Sequence, residues 1–136
     1  VLLLERLEDP CRENADKYSQ DLWRAAAHIQ EHFSEKVTNE TLARVSRLSQ
    51  SHFNKLFREK YGVSPMRYLI QCRMAAARDM LARSPLSLWE IAERTGYESI
   101  HSFSKAFKKL ECVSPGEYRI YHRCKPAAER PFPVNQ

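Results

Sequence analysis

Two stretches of this chain, fifty residues apart, carry nearly the same pattern: residues 53–68 read FNKLFREKYGVSPMRY and residues 103–118 read FSKAFKKLECVSPGEY. Phe53, Phe57, Val63, Ser64, Pro65 and Tyr68 return as Phe103, Phe107, Val113, Ser114, Pro115 and Tyr118. Lys55 returns as Lys105, and Arg58 keeps its charge as Lys108. A repeat at this spacing means that one small structural unit is used twice. The chain has 136 residues, enough for one ordinary domain or two very small ones sharing a core.

The units are expected to be helical. The hydrophobic share is 43% with only three glycines, and the apolar residues recur at helical spacing. Leu22, Ala25, Ala26, Ile29 and Phe33 share one face of a helix from about Asp16 to Phe33. Thr38 caps a short helix carrying Leu42, Ala43 and Val45 and ending near Arg47. Ser49 caps the next, which runs to Tyr61 with Phe53, Leu56 and Phe57 inward and Gly62 as its left-handed stop. Two short helices around a tight turn, the second with a basic outer face, form a helix-turn-helix candidate.

Ser64-Pro65 is a serine cap with proline at the first helical position. It opens a long helix to about Arg83, with an apolar stripe of Leu69, Cys72, Ala76, Met80 and Leu81. Ser84-Pro85 stops it. Ser87 with Glu90 forms a capping box ahead of Leu88, Ile91 and Ala92, Gly96 makes a turn, and Ser99 caps a helix with Phe103, Ala106, Phe107 and Leu110 inward. Ser114-Pro115 opens a last helix through Tyr118 and Tyr121. Residues 1–16, interrupted by Pro10, are expected to be a linker or the end of an upstream domain, the start lacking an initiator Met. Residues 124–136, with three prolines, are expected to be a disordered tail.

The outward faces carry the chemistry. With Phe53, Leu56 and Phe57 inward, Ser51, Asn54, Lys55 and Arg58 share the opposite face at i, i+3, i+4 and i+7. The second copy offers His101, Ser104, Lys105 and Lys108, with Ile100 beside them. Asn pairs with adenine N6 and N7, Lys donates to guanine O6 and N7, and Ile packs on a thymine methyl. Arg58, Lys60, Lys108 and Lys109 suit phosphates, which position a protein without reading sequence. A helix of 19 residues between the units spans roughly 28 Å. Consecutive major-groove windows on one face of B-DNA lie about 34 Å apart, so one chain can span two of them.

Charge agrees with a polyanionic partner. The net charge is +5, but residues 1–23 hold three basic side chains against six acidic ones. That leaves nineteen of the 22 basic and eleven of the 17 acidic residues, a net +8, in the remainder. A basic body of this kind suits nucleic acid. No run of about 18 apolar residues exists to span a membrane. The opening VLLLERLEDP falls short of a signal peptide's apolar core. Cys11, Cys72, Cys112 and Cys124 show no CxxC spacing and read as free thiols of a reducing cytoplasm.

The positions that carry the repeat also carry a resemblance. Leu42-Ala43, Phe53, Phe57-Arg58, Gly62-Val63-Ser64-Pro65, Tyr68-Leu69, Arg73, Ala77 and Leu81 match in the first half. Ile91-Ala92, Gly96-Tyr97, Phe103, Phe107-Lys108-Lys109, Ser114-Pro115 and Tyr118-Arg119 match in the second. Over roughly Leu22 to Arg119 the chain resembles the DNA-binding domain of the AraC/XylS family of bacterial transcription regulators. The resemblance implies an all-α, seven-helix fold of two helix-turn-helix subdomains, residues 17–63 and 84–123, joined by a long linker helix, residues 64–83.

It further implies a sequence-specific, cytoplasmic DNA-binding regulator with no enzymatic activity and no cofactor. The implied base-reading residues are Ser51, Asn54 and Lys55, with Ile100, His101, Ser104 and Lys105. Phosphate contacts fall to Ser49, Arg58, Lys60, Ser99, Lys108 and Lys109. The implied partners are double-stranded DNA and RNA polymerase, with no membrane. The domain itself is expected to be monomeric, sensing and dimerisation belonging to an upstream domain. One departure stands out: the family has glycine where this chain has Cys112, so a left-handed Cys112 would carry backbone strain. Its thiol is expected to be half-buried and structural.

Two readings of other classes compete. A helical protein-interaction module would need an exposed apolar stripe, and none is evident in the sequence. A metallohydrolase would use His28-Ile-Gln-Glu31-His32, which matches a zinc-hydrolase pattern and places His28 and His32 on one face. That motif is short, and two histidines four apart on a charged helix are commonly just solvated.

Overall fold

The computed structural model describes residues 17–124. These form seven helices in chain order: α1 Ser19–His32, α2 Asn39–Ser46, α3 Gln50–Tyr61, α4 Pro65–Arg83, α5 Leu88–Arg94, α6 Ile100–Glu111 and α7 Pro115–Cys124. No strand occurs among the described residues. The expectations for residues 1–16 and for the tail beyond Cys124 lie outside them. The chain divides into two compact units between Cys72 and Arg73, inside α4 rather than at either of its ends.

The caps explain the boundaries. Thr38 Oγ1 accepts from Thr41 N–H at 3.1 Å. Ser49 Oγ accepts from His52 N–H at 3.3 Å, and Ser99 Oγ from Ser102 N–H at 3.1 Å. Each satisfies a donor the first helical turn leaves open. Ser87 and Glu90 complete a reciprocal box, Glu90 N–H donating to Ser87 Oγ at 3.1 Å and Ser87 N–H to Glu90 Oε1 at 3.2 Å. Ser114 and Glu117 make a second one at 2.9 and 3.1 Å. Both glutamates are held below the ordinary carboxylate range, first by the Ser87 and Ser114 backbone N–H groups and then by the same serines' hydroxyls. The first unit lacks this device at α4, because Arg67 stands three residues after Ser64.

Each unit has its own aromatic core. In the first, Leu22, Ala25, Ala26 and Ile29 of α1 and Leu42 and Ala43 of α2 are buried with Phe53, Leu56, Phe57 and Leu69. In the second, Ile91, Ala92, Phe103, Phe107 and Tyr118 are buried. The repeat keeps its packing geometry: Phe57 meets Tyr68 edge-on at 5.5 Å and 87°, and Phe107 meets Tyr118 at 5.4 Å and 81°. This is the arrangement the ring quadrupoles favour.

Two expectations need correction. The stripe on α4 is not one row of Leu69, Cys72, Ala76, Met80 and Leu81. Leu69 belongs to the first core, with Cys72 packed against it. In the second half the buried residues are Met74, Ala77 and Leu81, while Ala76 and Met80 are half-buried. A single stripe presumes a single partner, and α4 serves two cores in turn. Cys112, expected to be half-buried, is an exposed free thiol. It is left-handed as expected, with φ 67°, and its N–H closes α6 on Lys108 O at 2.8 Å. The sequence also gave no warning that Arg47 is left-handed, with φ 64°.

At the far end of α4 the carbonyls of Leu81, Ser84 and Leu86 are taken by arginines of α7. Arg119 Nε donates to Leu81 O at 3.2 Å, and Nη2 to Ser84 O at 3.4 Å and Leu86 O at 2.5 Å. Arg123 adds a bond to Ser84 O.

Candidate nucleic-acid interface

The two second helices, α3 and α6, present comparable outer faces. On α3, Ser51, Lys55 and Arg58 are exposed opposite buried Phe53, Leu56 and Phe57. On α6, His101, Lys105 and Lys108 are exposed opposite Phe103 and Phe107. A helix with aromatic residues inward must turn these positions outward, because residues three and four apart share a face. Asn54 and Ser104 hold equivalent places and are half-buried. Asn54 Nδ2 donates to Gln50 O at 2.8 Å, which fixes the amide against its own helix and leaves Oδ1 to accept.

Asn54, Lys55 and Arg58 line one groove of about 410 Å³ together with Glu59 and Ser64. Three of the four residues assigned to this face are therefore adjacent within the first unit. In the first unit Ser49 and Lys60 are exposed as well, and in the second unit Ser99, Lys108 and Lys109 are. Lys60 is partly engaged, its Nζ lying 3.1 Å from Ser19 Oγ on α1. Ser49 and Ser99 each spend an oxygen lone pair on their caps; Ser49 keeps a hydroxyl hydrogen to donate, whereas the Ser99 hydroxyl also lies 3.0 Å from Ser102 Oγ.

Matching the two caps shows a position the sequence reading passed over. If Ser49 answers to Ser99, the first helical residues Gln50 and Ile100 are equivalents, and both are exposed. Ile100, at 40% exposure, is a large apolar side chain turned to solvent at a helix start. Gln50 offers an amide able to pair with adenine. The signal that finds Gln50 is the position of the cap, rather than the side chain itself.

Electrostatically the two pairs differ. Residues 38–62 carry five Lys or Arg against two Glu, whereas residues 87–112 carry four of each. A hollow of about 250 Å³ beside the start of α6 is lined by Trp89, Glu93, Tyr97, Glu98 and Ser99. Its carboxylates would repel a phosphate approaching Ser99 from that side.

The competing motifs come to less. The His28 and His32 rings lie 4.5 Å apart, and His32 Nδ1 sits 2.8 Å from Glu35 Oε2. Among the described residues no group of three or more His, Cys, Asp or Glu side chains is placed to hold a metal ion. Among the described residues the exposed large apolar side chains are Trp23, Trp89, Ile100 and Ile120, one on each of four helices, so none of these helices carries an exposed apolar stripe. No helix among the described residues is long and apolar enough to cross a membrane.

Comparison with known proteins gives the family. A protein-family model described as a helix-turn-helix domain matches residues 42–120. The uncharacterised HTH-type transcriptional regulator YisR of Bacillus subtilis is 36% identical over 97 residues, 71% of this chain and 34% of that one. The transcriptional activator RclR of Escherichia coli is 40% identical over 82 residues, 60% and 29% of the two chains. This chain thus spans about a third of the length of such curated relatives.

Among solved structures, the C-terminal domain of AraT, a response regulator from Geobacillus stearothermophilus, superposes with a TM-score of 0.71 at 35% identity. The match covers 80% of this chain and 88% of that one. The DNA-binding domain of AdpA, a global transcriptional factor solved in complex with a target DNA, gives 0.73 at 32% identity, covering 76% and 93%. With its two helix-turn-helix units, their aromatic cores and their paired basic helices, the chain belongs to the AraC family of transcriptional regulators and is a DNA-binding domain of that type.

Proposed function

We propose that the chain reads an asymmetric double-stranded DNA site, α3 and α6 each entering a major groove and one molecule covering two successive grooves. The observation that carries this is the duplicated helix with a shared inner face and an unlike outer face. Ser51, Asn54 and Lys55 in one copy stand against Ile100, His101, Ser104 and Lys105 in the other. Equal scaffolds with different reading groups address two different half-sites, where a palindrome would ask for two equal faces. Lys55 and Lys105 donate to guanine, Asn54 or Gln50 pairs with adenine, and Ile100 packs on thymine. Arg58, Lys60, Lys108 and Lys109, with Ser49 and Ser99, hold phosphates.

In this reading the chain performs no catalysis and acts in the cytoplasm as a monomeric domain. RNA polymerase is its protein partner at the promoter, and effector sensing and dimerisation lie in sequence outside it. Selection of bound duplexes from a random pool at physiological salt tests the DNA assignment. The expected result is a non-palindromic consensus in two blocks about one helical turn apart. A symmetric consensus, or no enrichment at all, would refute it.

A further inference from the structure

The turns inside the two helix pairs share one backbone. In the first, buried Ser46 donates to Ala43 O at 2.8 Å, Arg47 N–H to Arg44 O at 3.1 Å, and Leu48 N–H to Ala43 O at 3.0 Å. In the second, buried Thr95 donates to Ile91 O at 2.7 Å, Gly96 N–H to Glu93 O at 3.2 Å, and Tyr97 N–H to Ala92 O at 2.9 Å. Arg47 and Gly96 are therefore the same position, and both are left-handed, with φ 64° and 95°. The second turn is then one residue longer, and the extra residue before cap Ser99 is Glu98.

Glycine suits that position, and the second unit has it. The first unit has instead a long cation on a strained backbone. The Arg47 side chain is exposed, and it forms no ion pair among the described residues. Among the described residues no packing and no internal charge explains its presence. Backbone strain of this sort gathers where a side chain is needed for function. The site lies two residues ahead of Ser49, the cap of the first recognition helix. In a helix-turn-helix the leading helix crosses the DNA backbone while the start of the second meets the base edges. A guanidinium there suits a phosphate, which it can bind through two parallel N–H bonds.

We propose that Arg47 is a phosphate anchor in the turn of the first helix pair. The two turns then act oppositely: Arg47 attracts the DNA backbone where Gly96 and Glu98 cannot, so the first pair carries the larger share of salt-dependent affinity. The proposal rests on the DNA-binding reading above.

The test compares Arg47→Gly and Arg47→Lys with the unaltered chain. Each is titrated from 50 to 200 mM salt onto the duplex selected by the unaltered chain and onto a scrambled duplex. Arg47→Gly relieves the backbone, so its melting temperature should hold or rise. Its log–log salt slope should fall by about 0.9, one phosphate contact. The affinity gap from the unaltered chain should then narrow about 3.5-fold over that salt range, equally on both duplexes. Arg47→Lys should keep most of the slope. An unchanged slope for Arg47→Gly, or a loss confined to the selected duplex, would overturn the anchor. Failure of the unaltered chain to bind any duplex would overturn the DNA reading, and the anchor with it.

Discussion

Cys112 offers a clean measurement of backbone strain in this fold, because its counterpart in the first unit is a glycine in the same conformation. Gly62 closes α3 at φ 78° with its N–H on Arg58 O at 2.8 Å. Cys112 closes α6 at φ 67° with its N–H on Lys108 O, also at 2.8 Å. A side chain in the left-handed region costs about 1–2 kcal/mol, from crowding of Cβ against the carbonyl oxygen. Replacing Cys112 by glycine removes that cost but frees the unfolded chain, which takes back about 0.4–1 kcal/mol. Because the thiol is exposed, little packing is lost.

The net gain expected for Cys112→Gly is therefore about 0.5–1 kcal/mol, a rise in melting temperature of about 2–6 °C for a domain of this size. Cys112→Ala keeps the Cβ and should stay within about 1 °C of the unaltered chain. The reverse change is equally informative. A Cβ built at Gly62 meets nothing within 4 Å, so Gly62→Ala should lose about 0.5–1 kcal/mol through the backbone alone. Calorimetry under reducing conditions reads all three. Equal shifts for Cys112→Gly and Cys112→Ala would show that the thiol, not the left-handed backbone, was being measured, and a neutral Gly62→Ala would remove the reasoning altogether.

Four further outcomes are expected. Lys55→Ala and Lys105→Ala should each weaken the selected duplex by about 1–3 kcal/mol while sparing a scrambled one. Arg58→Ala should weaken both duplexes and lower the salt slope by about 0.9; titrations on the two duplexes separate the cases. Glu90 and Glu117 have depressed folded-state pKa values, so their stabilising effect is present above the unfolded carboxylate pKa and is lost as pH falls through the lower folded value. The double Glu90→Ala, Glu117→Ala variant should accordingly show a shallower acid loss of stability, and an unchanged pH profile from denaturant melts would count against the boxes. Arg119→Ala strands the Leu81 and Leu86 carbonyls, Ser84 O keeping its bond from Arg123, and should cost about 2–3 kcal/mol in urea unfolding, with Arg119→Lys recovering little because the planar fork is lost. A cost below about 0.5 kcal/mol would mean water replaces the guanidinium fully.

The helices were legible because their signals are local. Ser49, Ser87 and Ser99 announce helix starts, Gly62 announces an end, and Phe53 with Phe57 four residues on marks an inner face. The α4 stripe was misread because Met74 and Leu69 answer to different cores, and which core a residue faces is a tertiary fact. Arg47 escaped notice because nothing in an arginine side chain announces a left-handed backbone; the turn's hydrogen bonds impose it. On the interface, the outward direction of Lys55 and Lys105 followed from the inward phenylalanines. Asn54's bond to Gln50 O and the equivalence of Gln50 with Ile100 needed atomic positions of the cap and the first turn.

The separation of inner and outer faces on α3 and α6 has a consequence for how such a chain changes over generations. Ser51, Lys55, His101 and Lys105 are exposed and lie outside the buried aromatic cores. Exchanges at these four positions should shift stability only slightly, since exposed sites away from caps and cores commonly move it by no more than about 0.5 kcal/mol. A duplicated ancestor could therefore drift into two dissimilar readers, one surface residue at a time, without passing through an unfolded intermediate genotype.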